Sequence, residues 1–361
     1  MLRKILTFFQ KETVLSISAI LAILSMFIVH PSGKYFSYID FRTLSLLFCL
    51  MSIVAGLSEI GLFDYLAEKI LSRANSIKSI IVLLVLLCFF FSMIITNDVA
   101  LITFVPFAII ILKKMSEKQK NYWILRTVVM QTIAANLGSM LTPIGNPQNL
   151  YLYARANMSA LALIRLMLPY SIAALVLLLV WIQIAAHREP GSTTENHISE
   201  LFSIHKTKAP NQTSLIGYLI LFFICLLVVA HIIDYRISFI LVIGYIFFKN
   251  WHLFKKVDYS LLLTFTALFI FIGNLKCIPQ FNHFLISIID GHETLTAILS
   301  SQIISNVPAA ILLSGFTKNY SALIIGTNIG GLGTLIASMA SLISFKYIAK
   351  EKTTLRGKYF M

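Results

Sequence analysis

The 361 residues of the chain have a composition that excludes a soluble protein: 58% are hydrophobic, 12% are charged, and the mean hydropathy is +0.85. Soluble domains usually carry about 25% charged residues. The formal net charge is +14, but the basic residues lie in short segments between apolar runs, so nucleic acid is not an expected partner. We predict a membrane protein whose surroundings are the lipid bilayer.

Apolar runs of nearly 20 residues indicate transmembrane helices, because a helix of about that length crosses the hydrocarbon core. No small-residue cleavage signal follows the first run, so we expect a retained span there and not a removed signal peptide. Simple spans are predicted at 14–29, 41–63, 160–186, 215–232, 237–254 and 261–275.

Two further runs, 77–112 and 295–316, are interrupted by polar residues near their middle. The interrupting residues are Thr96, Asn97 and Asp98 in the first run, and Ser305 and Asn306 in the second. Each arm is too short for a comfortable span of its own, so the sequence predicts two re-entrant hairpins with polar tips. In a simpler interpretation, Asp98 and Asn306 are N-caps of the second arms.

Runs 122–153 and 322–348 are long enough only if each is one helix with a polar interruption. Irregular backbone at membrane depth is tolerated where protein buries it or where it lines a hydrated cavity. A broken helix also exposes N–H groups that attract anions and C=O groups that attract cations. Two hairpins and two broken helices therefore predict an ion or substrate site of the kind found in secondary transporters.

Lysine and arginine in short loops collect on the cytoplasmic side of a membrane. This rule puts both termini and the polar segment 187–213 in the cytoplasm. A re-entrant first hairpin also keeps a basic cluster inside, namely Lys113, Lys114, Lys118, Lys120 and Arg126. The second hairpin then opens to the opposite side.

The two halves of the chain repeat the same features in the same order. Asn136, Gly138 and Thr142 have the spacing of Asn328, Gly330 and Thr334. We therefore predict an all-α polytopic membrane protein with an inverted repeat. Residues 1–186 and 214–361 form its two membrane repeats, joined by a cytoplasmic linker at 187–213.

The motifs ITNDVALITFVPF, AANLGSMLTPIGNPQNLYL, SNVPAAILL and TNIGGLGTLIASMAS resemble those of the ion-transporter superfamily. That superfamily includes arsenite permeases, sodium/proton antiporters, citrate-transporter-like permeases and divalent-anion symporters. The resemblance covers residues 41–348 and implies broken helices at 136–149 and 328–341. The symporters carry Ser-Asn-Thr at both tips, so the acidic tip here resembles the arsenite-permease and antiporter side. Family members usually continue with one more helix after this point.

The candidate site combines the hairpin tips with the polar residues of the broken helices. Its residues are Thr96, Asn97, Asp98, Asn136, Gly138, Thr142, Gly145, Asn146, Ser305, Asn306, Asn328, Gly330, Thr334 and Ser338. No metal-ligand spacing occurs among the cysteines and histidines, so we expect no cofactor and no metal other than a sodium ion at the tips.

The expected function is secondary active transport of a small anion or oxyanion, arsenite-like or a di- or tricarboxylate, driven by sodium or protons across the cytoplasmic membrane. The alternative is a sodium/proton antiporter. An intramembrane enzyme is less favoured, since hydrolase motifs are absent. A passive channel is less favoured because half-helices in an inverted repeat favour alternating access. The absence of a Walker motif restricts coupling to ion gradients or to a separate ATPase subunit. A homodimer is also left open.

Overall fold

The computed structural model of the protein describes residues 12–189 and 208–351. The centre of the expected linker, 190–207, lies outside the described residues. So do the basic residues that were assigned to the cytoplasm near the termini: Arg3, Lys4, Lys11, Lys352, Arg356 and Lys358.

The described residues are helical almost throughout. The helices before the linker are α1 (Thr13–Ile28), α2 (Tyr35–Tyr38), α3 (Phe41–Glu59), α4 (Leu62–Leu71), α5 (Ile77–Ile95), α6 (Asn97–Leu112), α7 (Glu117–Ser139), α8 (Pro147–Ala156) and α9 (Ala160–His187). The helices after it are α10 (Gln212–Val229), α11 (Tyr235–Lys249), α12 (Tyr259–Lys276), α13 (Pro279–Ile289), α14 (Glu293–Ile304), α15 (Asn306–Leu313), α16 (Tyr320–Ile329) and α17 (Met339–Glu351). A 3-10 helix at Trp251–Lys256 follows α11.

Five of these helices, α3, α5, α9, α10 and α12, have the length and apolar character needed to cross a membrane. Many of their large apolar side chains face outward, including Phe90 of α5, Leu177 of α9 and Phe223 of α10. The prediction of an all-α polytopic membrane protein is confirmed.

The hairpin arms differ in length from what the sequence suggested. Helix α5 has 19 residues and is long enough to cross the membrane alone. The expectation that each arm is too short was therefore wrong for this arm, because its helix continues without interruption from the Ser76 cap to the turn. The other arms are shorter, with 16 residues in α6, 12 in α14 and 8 in α15. Re-entry of the hairpins stays a prediction.

Three helices were not predicted, namely the four-residue α2, α4 and α13. The spanning helix predicted at 41–63 ends at Glu59. The amphipathic helix α4 starts after Gly61, which has φ +73°. Its buried residues, Phe63, Ala67 and Leu71, lie four residues apart and so on one face. Helix α13 similarly precedes the second hairpin.

The described residues form two compact units, which we name after their turns. The Thr96 unit contains residues 56–149, 159–189, 208–220 and 332–351. In it, α7 packs against both hairpin arms α5 and α6, and α17 packs against α6 and α7. The Ser305 unit contains residues 12–55, 150–158 and 221–331, where α16 packs against the arms α14 and α15.

Candidate functional site

The first hairpin turns at a single residue, Thr96, which separates α5 from α6. Its backbone angles, φ +73° and ψ +151°, lie in a region that residues with a Cβ rarely adopt. The next residue, Asn97, holds the turn in two ways. Its Oδ1 accepts a hydrogen bond from the backbone N–H of Asp98 at 3.0 Å, and its own N–H donates to the carbonyl of Gly145 at 3.1 Å.

The second hairpin turns in the same way at Ser305, with φ +76° and ψ +153°. Here Asn306 Oδ1 accepts from the N–H of Val307 at 2.9 Å. The two turns therefore share both an unusual backbone conformation and the side-chain bond that follows it.

The interpretation of Asp98 and Asn306 as N-caps was wrong. Thr96 and Ser305 occupy the cap positions, and neither side chain makes a capping bond. Asn306 is the first residue of α15 and Asp98 is the second residue of α6. Asp98 is thus a partly exposed carboxyl group inside the first turn of a helix, where the helix dipole favours negative charge.

Asn136 of α7 joins three parts of the Thr96 unit. Its Oδ1 accepts from Asn97 Nδ2 at 3.0 Å and from Ser338 Oγ at 2.9 Å, while its Nδ2 donates to the Thr132 carbonyl at 3.1 Å. All three partners and Asn136 itself are buried. The predicted residues Asn97, Asn136 and Ser338 are thereby brought into direct contact, and we call them the amide cluster.

The break in the first interrupted helix is also held by side chains. Asn146 Nδ2 donates to Ser139 Oγ at 3.1 Å, and Ser139 Oγ donates to the Asn136 carbonyl at 2.8 Å. Thr142 Oγ1 donates to the carbonyl of Met93 on the first hairpin arm. Pro147 is the first residue of α8, after the break, where proline fits well.

Sequence reasoning missed Ser139 and Asn149 in this break. Asn149 Nδ2 donates to the carbonyls of Met140 and Thr142, at 3.0 and 3.2 Å. The available signal was the three-residue spacing of Asn146 and Asn149, which allows the Asn146 Oδ1 to accept from the Asn149 N–H at 2.8 Å.

Gly138 lets α7 approach the first hairpin arm closely. A Cβ on Gly138 would lie 2.1 Å from the Phe89 carbonyl oxygen and 2.7 Å from Ser92 Oγ. Phe89 and Ser92 stand seven and four residues before the turn. Gly330 packs in the same way against the first arm of the second hairpin. A Cβ added to Gly330 would lie 2.9 Å from Ile298 Cα and 2.8 Å from Ser301 Cβ, seven and four residues before the turn.

The second break uses a residue that was not predicted, Gln302. Its Nε2 donates to the Gly330 carbonyl at 2.7 Å. The signal was a glutamine in an apolar arm, three residues before the turn. Asn328 Nδ2 donates to the Ile324 carbonyl at 2.7 Å, as Asn136 does to Thr132.

The structure divides the fourteen predicted site residues between the units. Ser305, Asn306, Asn328 and Gly330 belong to the Ser305 unit, and the other ten belong to the Thr96 unit. Among those ten, Thr334 is exposed and its Oγ1 accepts from the Ala337 N–H at 3.1 Å.

The turns leave few backbone donors for a ligand. In α6 the N–H groups of Asn97, Asp98 and Ala100 are bonded, and in the described residues that of Val99 is not. At the start of α15 the N–H groups of Val307 and Ala309 are bonded, and Pro308 has no N–H. Among the described residues, the N–H of Asn306 is therefore the donor left for a ligand at this turn. Anion binding at either turn would therefore depend on one N–H and the helix dipole, and not on a row of donors.

The chemistry of the two turns differs in charge. Asp98 is the only ionisable residue among the fourteen. Thr96, Asp98 and Thr142 are partly exposed, whereas the amide cluster is buried and already hydrogen-bonded. The Thr96 turn can thus offer a carboxylate and hydroxyl groups to a cation or proton, on a frame whose amides are fixed.

Comparison with known proteins agrees with these features. The sequence profile of the family described as "Citrate transporter" matches residues 5–340. An uncharacterized transporter of Methanocaldococcus jannaschii is 34% identical over 332 residues, which cover 92% of this chain and 87% of the relative. The inner membrane protein YbiR of Escherichia coli is 31% identical over 332 residues, covering 90% and 84%. The human P protein is 30% identical over 128 residues, 35% of this chain and 15% of that protein. A profile match over nearly the whole chain, together with apolar helices broken at polar turns, shows that this integral membrane protein belongs to the citrate transporter family and is a transporter.

Proposed function

We propose that the protein is a secondary active transporter that moves a small anion or oxyanion across the cytoplasmic membrane, driven by a sodium or proton gradient. The observation that carries this proposal is the pair of matching turns, at Thr96 and Ser305. Each turn places the N-terminus of a short helix next to a broken helix. Transporters use such half-helix ends to hold ions at mid-membrane depth.

The substrate proposal follows from the neutral composition of the site. Thirteen of the fourteen site residues have no ionisable side chain, so an anion would be bound by helix dipoles and neutral hydrogen-bond donors. The family description names citrate, which makes di- and tricarboxylates the first candidates. Arsenite, which is a neutral acid near pH 7, fits the same neutral environment.

The coupling proposal depends on Asp98. A carboxylate in the first turn of α6 is stabilised by the helix dipole, and a bound sodium ion or proton would neutralise it. Movement of a loaded, neutral turn through a membrane costs less than movement of a charged one. Occupancy by a cation would in this way be required for the transport step.

The test is uptake by proteoliposomes that contain the purified protein. Citrate, succinate and arsenite are supplied outside, with an inward sodium gradient, an inward proton gradient or no gradient. We expect one substrate to accumulate only under one of the two gradients. Equal internal and external concentrations under every gradient, for a substrate that does enter, would indicate a passive channel instead.

A second candidate function, sodium/proton antiport, is favoured by Asp98 as the one titratable group of the site. It predicts that a sodium gradient changes the internal pH of the same vesicles when no organic anion or arsenite is present. A pH change that requires one of the substrates would support the anion transporter.

The proposed orientation can be tested by labelling. Ser116 lies between α6 and α7, after the first hairpin. With a re-entrant hairpin and a cytoplasmic N-terminus, a Ser116→Cys variant without its four native cysteines reacts with a membrane-impermeant maleimide only after the cells are opened. Reaction in intact cells would show that the hairpin crosses the membrane.

A further inference from the structure

A cavity of about 600 Å³ lies in the Thr96 unit where α4 ends and α5 begins. Helix α5 has 19 residues, so this end is about 28 Å from the Thr96 turn. The cavity is therefore separate from the site described above. Its walls combine three aliphatic side chains, Ile70, Val82 and Leu83, with two cations, Arg73 and Lys78.

The two cations are available to a ligand. Both are exposed, and within the described parts of the chain neither forms an ion pair. They approach the cavity from different elements, Arg73 from the loop after α4 and Lys78 from the first turn of α5. Two cations above an aliphatic wall fit a ligand that has an anionic head and an apolar tail.

Two serines fix the polar rim of the cavity. Ser79 N–H donates to Ser76 Oγ at 3.1 Å, and Ser76 N–H donates to Ser79 Oγ at 3.0 Å. Ser79 Oγ then donates to the Ser76 carbonyl at 2.8 Å, which uses its hydroxyl hydrogen. The hydroxyl hydrogen of Ser76 has no bonded acceptor among the described residues, so it adds a neutral donor beside the cations.

The position of α4 gives the depth of the cavity in the membrane. This ten-residue helix buries Phe63, Ala67 and Leu71 against its own unit and presents Asp64 and Lys69 on its exposed side. A short amphipathic helix beside the first turn of a membrane-spanning helix is typical of the lipid headgroup region. The cavity then faces phosphate groups above and acyl chains below.

We propose that this cavity binds an anionic phospholipid, with its headgroup phosphate between Arg73 and Lys78 and the start of an acyl chain against Ile70, Val82 and Leu83. Such recognition combines the charge attraction of basic residues for anionic lipids with burial of apolar surface. The proposal does not depend on the transported substrate, because the cavity and the turns share no residue.

The experiment uses the whole protein in neutral detergent, titrated with phosphatidylglycerol or phosphatidylcholine and followed by native mass spectrometry. We expect the parent to prefer phosphatidylglycerol. One basic residue near an anionic surface contributes about fivefold in affinity, so Arg73→Ala/Lys78→Ala should lower the phosphatidylglycerol affinity about 25-fold. The matched control, Lys69→Ala/Lys118→Ala, removes two exposed cations that do not line the cavity and should change the affinity about twofold or less.

Water-soluble competitors distinguish a lipid site from a general anion site. We expect inorganic phosphate and glycerophosphate, at concentrations equal to that of the lipid, to leave phosphatidylglycerol bound, because they lack the apolar part. Displacement by either compound would overturn the proposal in favour of a free-anion site. Equal phosphatidylglycerol affinity of the parent and of Arg73→Ala/Lys78→Ala would also overturn it. If that variant elutes as an aggregate on size exclusion, Arg73→Gln/Lys78→Gln replaces it and is judged by the same criterion.

Discussion

The Thr96 turn and the Ser305 turn have the same backbone and different charge. Both place a non-glycine residue near φ +75° and ψ +152°, and both follow it with an asparagine that accepts from the next N–H. In both hairpins the arm before the turn packs against a glycine of a broken helix. At the next position the first turn has Asp98 and the second has the buried Val307. The two turns thus share one backbone frame, and only the first carries an ionisable side chain next to its asparagine.

The largest effect is expected from Asp98→Asn, which removes the charge difference between the turns. Asparagine keeps the shape of the side chain, so folding should be preserved while a cation or proton is no longer bound. Gradient-driven accumulation in proteoliposomes should fall to passive equilibration, with substrate exchange retained.

The control for this variant is Asp64→Asn, which removes an exposed carboxylate from the first turn of α4. Both substitutions lose the same favourable helix-dipole interaction, about 0.3–1 kcal/mol. Accumulation by Asp98→Asn at the parental level would remove the proposed coupling role.

The next effect tests the close approach of the broken helices. Gly138→Ala should destabilise the protein by about 3 kcal/mol, at the top of the usual range for overpacking, because the new Cβ would lie 2.1 Å from a backbone oxygen. Gly330→Ala should cost less, since its nearest contacts are at 2.8 Å. Thermal unfolding in detergent measures both.

Gly244→Ala is the control for these substitutions. Gly244 lies inside α11 and a Cβ there meets nothing within 4 Å. Alanine is favoured over glycine in a helix by about 1 kcal/mol, so a small rise in unfolding temperature is expected. An equal decrease in the unfolding temperature of Gly138→Ala and Gly330→Ala would mean that the two broken helices approach their hairpin arms equally closely.

The amide cluster of the Thr96 unit can be tested with Asn136→Ala. This change leaves the Nδ2 of Asn97 and the Oγ of Ser338 without their acceptor, and unpaired buried groups cost about 1–3 kcal/mol. The measurement is the free energy of unfolding. Ser338→Ala keeps the Asn97 bond, but it removes the donor to Asn136 and the acceptor of the Ala340 N–H at 3.1 Å, so it should cost about 1–2 kcal/mol, less than Asn136→Ala. A larger decrease in the free energy of unfolding for Ser338→Ala than for Asn136→Ala would contradict the central position of Asn136 in the cluster.

The smallest effect tests the shared backbone of the turns. Thr96→Gly and Ser305→Gly should each relieve a strained backbone conformation, which stabilises the folded protein by about 1–3 kcal/mol. The greater freedom of glycine in the unfolded chain offsets about 0.5–1 kcal/mol of this gain. Both should raise the unfolding temperature slightly and to a similar extent. Thr96→Ala and Ser305→Ala keep the Cβ and are the controls. A rise in only one glycine variant would show that the turns are not equivalent.

Much of the fold could be predicted because membranes impose simple rules on sequence. Polar residues inside apolar runs revealed both turns, and the glycines and asparagines of the interrupted runs revealed both breaks. Helices α4 and α13, with 10 and 11 residues, were missed because they are shorter than a span and carry only an amphipathic pattern. An amphipathic pattern of about three helical turns is difficult to recognise when longer apolar segments lie on both sides of it.

The contacts of the site could be predicted only in part. Asn97, Asn136 and Ser338 were each identified by residue type, but nothing in the sequence indicates that one oxygen of Asn136 accepts from both of the others. Gln302 was missed because its role depends on the packing of α16 against α14, which brings the Gly330 carbonyl to it. Residue chemistry selects candidates, whereas tertiary packing decides which of them meet.

The bond between Ser338 and Asn136 has a consequence for biosynthesis, because it joins residues 202 positions apart. Ribosomes add about 5–20 residues per second, so roughly 10–40 s pass between the synthesis of the acceptor and that of the donor. During that interval the first hairpin and α7 are already made, but Ser338 and α17, which begins at the next residue, are not. We expect nascent chains to wait in the membrane with the cluster incomplete, exposed to quality-control proteases until translation reaches Ser338.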